Sequence, residues 1–238
     1  YIAKGTEKAK GANTADLKEF WQCGQQVADD NPMKHAYPDN VIVTELPRFN
    51  VVTQAIYKQL EYTGKHLLRA IAVYLNLPEN YFDNSVHQGN SILRAIHYFP
   101  LDNPENLPDD AVRASAHEDI NLITLLIGAS ADGLEILTRD GQWFPVKAHA
   151  EDIVVNVGDM LQRLTNNQLK STTHRVVNPP HELMCTSRYS VPFFLHPKAN
   201  TDLTCLASCI DESNPKAYAD ITAGEYLDER LMEIGLKM

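Results

Sequence analysis

Apolar positions change period along the chain. Residues 1–13 hold two glycines and several lysines with no apolar period, which predicts a loop entering the domain. Leu17, Phe20, Trp21 and Val27 are then spaced for one helical face, with Thr14 as N-cap and the Asp29-Asp30-Asn31-Pro32 break as terminator. Residues 31–49 carry three prolines and read as an irregular connection. From Val51 to Leu77 apolar side chains recur every three or four residues (Val52, Ala55, Ile56, Leu60, Leu67, Leu68, Ile71, Leu75). That period predicts a long amphipathic helix, interrupted or strained near Gly64 and closed by Pro78.

Beyond Asn90 the pattern becomes short β-like runs: ILRAIHYF, NLITLLIG, LEILT, WFPV, DIVVNV, MLQRLT, HRVV and RYSVPFFL. Turn chemistry separates them, including Asn-Pro, two Asp-Gly pairs, Asn-Asn and Asn-Pro-Pro. Eight such runs predict a sandwich or closed jelly roll spanning about 90–198, with helical segments of 14–83 packed on one side. The tail from Ala217 to Leu236 reads as helix. The fold class is therefore mainly β with flanking helices, one domain over residues 1–238, around a jelly-roll (double-stranded β-helix) core.

Composition narrows the function. With 238 residues, 44% of them hydrophobic, the chain can bury one sizeable core. Its net charge of -10 with scattered Lys and Arg would repel a phosphate backbone, so nucleic acid is not the expected partner. No apolar run approaches the roughly 18 residues that span a bilayer, and the first residues lack an apolar signal core, so no membrane role and a cytoplasmic location are expected. Four cysteines (Cys23, Cys185, Cys205, Cys209) fit reduced thiols better than a disulfide framework. Cys205 and Cys209 lack further ligands at metal-binding spacing. Oligomeric state is not legible.

The candidate chemistry begins at His117-Glu118-Asp119, where a Pro- and Asp-rich loop meets an apolar strand. In extended chain, positions i and i+2 face one side, so His117 and Asp119 can present an imidazole and a carboxylate together. Alone this means little, because chance supplies roughly 0.6 His-x-Asp pairs in such a composition. His174 opens the HRVV run 57 residues later. In RYSVPFFL, Arg188, Ser190, Pro192 and Phe194 share one face. An inward Arg is costly without an anion to meet it, and a hydroxyl two residues on completes a carboxylate receptor. Two His and one Asp on one side of a metal leave its other positions open, as non-heme Fe(II) oxygen chemistry requires. His149-Ala150-Glu151, a rival His-x-acid pair, falls in a polar loop and reads as exposed. His97, His181 and His196 belong to no motif and read as structural or exposed.

The ordered set His117-x-Asp119, His174 and Arg188-x-Ser190 resembles the iron(II)- and 2-oxoglutarate-dependent oxygenases. The wording around it (AHEDINLITLL, VNVGDMLQRLTNNQLKSTTHRVVNPP, RYSVPFFLHP) is similar to the isopenicillin N synthase-like branch, and the resemblance covers essentially the whole chain. It implies a dioxygenase that uses Fe(II), 2-oxoglutarate and O2 to hydroxylate or desaturate a small molecule, releasing succinate and CO2. His117, Asp119 and His174 would hold the metal. Arg188 and Ser190 would hold the distal carboxylate of 2-oxoglutarate, with Tyr98 beside the cosubstrate and Phe194 toward substrate. Ile96 stands where the family often has an Asn. Family members usually begin with a further strand and helix, so the resemblance also implies a missing N-terminal part. The residues leave open an oxidase of the cyclising or ethylene-forming type that needs no 2-oxoglutarate, and a metal-binding jelly-roll module without turnover.

Overall fold

The computed structural model describes residues 1–7, 14–101, 111–149 and 151–234. Most of the 101–116 loop and part of the entering loop therefore lie outside the described residues. In chain order come β1 (Lys18–Gly24), α1 (Pro47–Tyr74), α2 (Asp83–Val86), β2 (Ile92–Tyr98), β3 (Ala114–His117) and β4 (Ile123–Ile127). They are followed by β5 (Leu134–Leu137), β6 (Trp143–Pro145), β7 (Ile153–Val157), α3 (Asp159–Leu164), β8 (His174–Val176), β9 (Arg188–Leu195) and α4 (Ala223–Glu233).

Two antiparallel sheets form the jelly roll: β1-β2-β9-β4-β7 and β3-β8-β5-β6. Alternation along the strands of the larger sheet serves two purposes. Leu93, Ile123, Leu125, Phe193 and Leu195 join Tyr57, Leu60, Leu68 and Ala72 of α1 in the main core. The alternate positions, among them Arg94, Tyr98, Thr124, Arg188, Ser190 and Phe194, point between the sheets and line a cavity. A smaller cluster of Phe20, Ile96, Tyr98, Ala114 and Val176 fills one end of the interior.

Four sequence expectations are corrected. The segment after Thr14 is strand β1, not a helix: Lys18 to Gly24 pair in register with Tyr98 to Ile92. Phe20 faces the interior while Trp21 packs edge-on against Phe49, so both faces carry an aromatic and mimic a helical stripe. Helix α1 starts at Pro47 and runs through Gly64 without interruption. Gly64 is a contact residue, since a Cβ there would lie 2.8 Å from Leu195 Cδ2 and 3.3 Å from Leu125 Cδ1. The helix ends before Pro78, where Asn76 takes φ 56° and the amides of Asn76 and Leu77 bond back to Val73 and Ala72. MLQRLT is helix α3, not a strand; Met160, Leu161 and Leu164 fit a helical turn whose buried side joins the core. The C-terminal helix begins at Ala223, because Thr222 and Glu225 form a capping box.

Candidate active site

His117 ends β3 and His174 opens β8, and the antiparallel pairing sets the two directly opposite each other. Their ring centroids are 4.4 Å apart. Asp119 lies two residues past His117, just beyond the end of β3. Asp119 Oδ1 is 3.9 Å from His117 Nε2 and 3.7 Å from His174 Nε2. One donor atom from each of the three residues falls within 4.8 Å of the others.

The remaining atoms of these groups are already committed. His117 Nδ1 meets the Ser115 carbonyl at 2.7 Å and His174 Nδ1 the Thr172 carbonyl at 2.8 Å. A carbonyl only accepts, so each Nδ1 carries the proton and each Nε2 keeps its lone pair. Asp119 Oδ2 accepts from Thr124 Oγ1 at 2.7 Å and Asn156 Nδ2 at 2.9 Å, leaving Oδ1 toward the imidazoles. Burial and then the neighbouring His174 push His117 down to about 4, so its ring is neutral. Burial opposes the charge on Asp119, but His174, His117 and the two hydrogen bonds outweigh it and hold the carboxyl below its ordinary value. Two neutral imidazole nitrogens and one carboxylate oxygen, preset by their neighbours, fit a facial Fe(II) site.

Beside the triad, a cavity of about 90 Å³ runs between the sheets to Arg188, Ser190 and Tyr98. At ~10–15 Å³ per water, it has room for a molecule the size of a small dicarboxylate. Arg188 is 1% exposed. Its Nε donates to the Ala131 carbonyl at 3.0 Å, while Nη1 is buried with no hydrogen-bond partner. Burial pulls its pKa down, the direction expected for a cation short of an anion. Tyr98 is paired with Arg188 across the sheet, its ring 4.9 Å from the guanidinium carbon. An orphaned guanidinium nitrogen lining the cavity, with Ser190 beside it, fits the distal carboxylate of 2-oxoglutarate.

The segment that builds this site is shared with known proteins. The profile of the 2OG-Fe(II) oxygenase superfamily matches residues 89–197. A 2OG-Fe(II) oxygenase family protein from Caulobacter crescentus has a crystal structure that superposes with a TM-score of 0.85, at 47% identity, covering 98% of this chain and 75% of that one. The chain belongs to the 2OG-Fe(II) oxygenase superfamily. As a member of that superfamily it is also similar to a full-length Neurospora crassa protein crystallised in complex with alpha-KG, with TM-score 0.80, 32% identity and coverage of 92% and 67%. Among curated relatives, the 2-oxoglutarate-Fe(II) type oxidoreductase ppzD of Metarhizium majus is 35% identical over 87% of this chain. The chain spans 60% of the length of that relative and 65% of its Metarhizium rileyi counterpart.

A second cavity, of about 390 Å³, opens on the other side of the triad. Phe194, Arg94, Lys18, His117 and Asp119 line both cavities and form the partition. Sequence reasoning missed Lys18 and Arg94. Lys18 was hidden by the helical reading of its segment, although the alternation Lys18, Phe20, Gln22 was there to be read. Lys18 pairs with Glu7 and Asp16, both at 2.7 Å, and Arg94 with Glu7 at 3.3 Å. Burial raises Glu7, but Lys18 and Arg94 outweigh it and hold Glu7 at about 2. Thr124 and Asn156 were missed as well, because their role depends on Asp119 lying between the sheets. His149 and Glu151 are exposed, as read. His181 is exposed and His97 bonds Glu19 and Ser187, whereas His196 is buried and lines the second cavity.

Proposed function

We propose that this protein is a 2-oxoglutarate-dependent dioxygenase that hydroxylates or desaturates a small molecule, in the isopenicillin N synthase-like branch of its superfamily. The observation that carries the reading is the coincidence, in one interior, of a preset His117, Asp119 and His174 triad with the unpartnered Nη1 of buried Arg188 beside a dicarboxylate-sized cavity. Bound there, Fe(II) would activate O2, which is the oxidant, and 2-oxoglutarate would supply two of the electrons as it becomes succinate and CO2. The chain's own residues do the placing. His117, Asp119 and His174 hold the metal through three donors and leave its other positions to ligands. Arg188 and Ser190 fix the distal carboxylate, and Tyr98 flanks the chain of the cosubstrate. Arg188 and Ser190 are buried here, which strengthens each of those contacts. Phe194, at the partition, faces the primary substrate.

Relatives differ in what they take. Structures of the Neurospora crassa protein hold thymine or 5-formyluracil, and a Petromyces alliaceus relative, 35% identical over 94% of this chain, is named proline hydroxylase buaE. Both names point to compact molecules, in keeping with the 390 Å³ chamber. A cyclising oxidase would leave the Arg188 pocket to the substrate's own carboxylate, and the similarity to a protein that binds alpha-KG disfavours it. Among the described residues no helix is long and apolar enough to cross a membrane, and all four cysteines are free thiols. Reduced thiols suit the cytoplasm, which is part of the proposal.

The test is anaerobic titration of the protein with Fe(II) and 2-oxoglutarate. A metal-to-ligand charge-transfer band in the visible is expected, absent in His174→Ala. In Arg188→Ala the 2-oxoglutarate affinity should fall by about 2–5 kcal/mol, the cost of leaving one side of a buried charge pair alone. A well-folded protein that gives no band, or an Arg188 variant with unchanged affinity, would refute the assignment.

A further inference from the structure

The second chamber differs from the first in that its cations are held in ion pairs, as Arg188 is not. Three of its lining side chains are cationic among the described residues, and each stands in an ion pair, although Arg230 Nε makes no hydrogen bond. Lys18 is held by Glu7 and Asp16, Arg94 by Glu7, and Arg230 of α4 by Asp159 at 3.2 Å and by Glu233. The Arg94 guanidinium is further committed by stacking over Phe20 at 4.0 Å and Phe194 at 4.9 Å. A carboxylate entering here would have to break an internal ion pair, unlike one entering the Arg188 pocket. The chamber's apolar lining comes from Ile92, Ile120, Phe194, Leu227, Leu231 and Ile234.

Among the described residues, two side chains in this wall carry a buried polar atom without a hydrogen-bond partner, Arg230 at Nε and His196 at Nδ1, and only His196 has no ion pair as well. His196 is 7% exposed, its Nδ1 has no hydrogen-bond partner, and no side-chain hydrogen bond holds the ring. Its backbone is fixed separately: the His196 amide donates to Ser91 Oγ at 3.2 Å, and the close approach of Gly89 to the His196 carbonyl holds the strand end. The ring is thus placed by the backbone and left without an internal task, which is unusual because buried polar atoms normally find partners. A buried neutral imidazole offers one donor and one acceptor. That pair of functions matches an uncharged hydrogen-bonding group and gives an anion nothing that the paired cations withhold.

We propose that the chamber takes an uncharged small molecule with an apolar body and a hydrogen-bonding edge, such as an amide, imide, ketone or alcohol, and that His196 reads that edge. The proposal rests on the functional reading above and adds the substrate class and a specificity-determining residue to it. A substrate lacking the polar edge leaves the buried imidazole unmatched, and sites built around a hydrogen bond reject such analogues strongly.

The experiment uses the full chain loaded with redox-inert Mn(II) and saturating 2-oxoglutarate. Ligand-observed NMR then measures ring compounds in matched pairs: thymine with orotate, nicotinamide with nicotinate, 2-pyrrolidone with pyroglutamate. The uncharged member of a pair should bind and its carboxylate partner should bind at least tenfold more weakly. His196→Phe, which keeps the ring volume, should weaken the uncharged ligands about tenfold or more, and His196→Gln, which restores a donor and an acceptor, should recover most of that loss. Carboxylates that bind as well as their neutral partners, no binding by any neutral probe, or His196→Phe with unchanged binding would each overturn the proposal. Retention of 2-oxoglutarate, read from its own signals in the same samples, separates the two claims. If wild-type protein fails to hold 2-oxoglutarate, the functional reading falls; if it holds 2-oxoglutarate without the neutral preference, only the substrate class falls.

Discussion

At the scale of single residues, the site depends as much on what occupies the far side of each ligand as on the ligand itself. Asp119 can aim Oδ1 at a metal because Thr124 Oγ1 and Asn156 Nδ2 occupy Oδ2, and Asn121 Nδ2 in turn donates to Thr124 Oγ1 at 2.8 Å. Thr124→Val preserves shape and removes one of those bonds, and Asn156→Leu removes the other. Each change should weaken Fe(II) binding about 10- to 100-fold, the usual consequence of losing a hydrogen bond that orients a metal ligand. Isothermal titration with Fe(II) under anaerobic conditions measures this, and an unchanged metal affinity in both variants would mean that the Asp119 rotamer is set by packing alone. Nothing in the sequence marks Thr124 and Asn156, because their significance comes from a pairing of β4 with β7 that sets them opposite each other. The side chains gathered between the sheets were legible, because His117, Asp119, His174, Arg188 and Ser190 stand in a fixed order whose chemistry makes sense together. Lys18 and Arg94 were not, Lys18 because its segment reads as a helix and Arg94 because a cation on an apolar strand reads as inward only once the strand's neighbours are known.

At the scale of elements, legibility follows how many faces are buried. Strand β9 was readable because its two faces differ in chemistry, Arg188 and Ser190 against Tyr189 and Val191. Strand β1 and helix α3 were misread because short segments buried on both sides lose the clean period that separates strand from helix. Gly64 illustrates a related ambiguity. In the sequence it weakens a helix, and in the structure it is the point where α1 approaches the sheet closely enough to touch Leu125 and Leu195, both fully buried. Gly64→Val should therefore destabilise the fold by about 2–3 kcal/mol through overpacking. Gly64→Ala should cost less, because a gain of ~0.8–1.0 kcal/mol in helix propensity offsets part of the clash. Urea unfolding checks both, and a Val variant as stable as the parent would show that α1 can move off the sheet at no cost.

At the scale of the whole molecule, the titrating groups buried around the two cavities make stability depend on acid. Burial pushes His196 down to about 4, and burial with His174 pushes His117 to about 4. Both are neutral in the fold at pH values where the unfolded chain, with ordinary imidazoles near ~6.5, already binds protons. Stability from this source is complete above about pH 6.5 and is lost as the pH falls toward 4. Asp159 acts in the opposite sense: burial raises it to about 7 against the pull of Arg230 and Tyr226, so folding favours its protonated form below that value. The two imidazoles outweigh the one carboxyl in number, so stability from these three groups falls as the pH drops from roughly 6.5 toward 4. Glu7 adds a further loss only below its ordinary range, because its folded value of about 2 keeps it charged until then. Metal binding enters the same balance, since it requires His117 and His174 unprotonated and stabilises only the folded chain. Thermal unfolding of metal-free protein should therefore show a midpoint that drops steadily from pH 7 to pH 5. Saturating Mn(II) should raise the midpoint at pH 7 and raise it less at pH 5. His196→Phe should flatten the pH dependence of the metal-free protein, and a slope that does not change in that variant would assign the acid sensitivity to other groups.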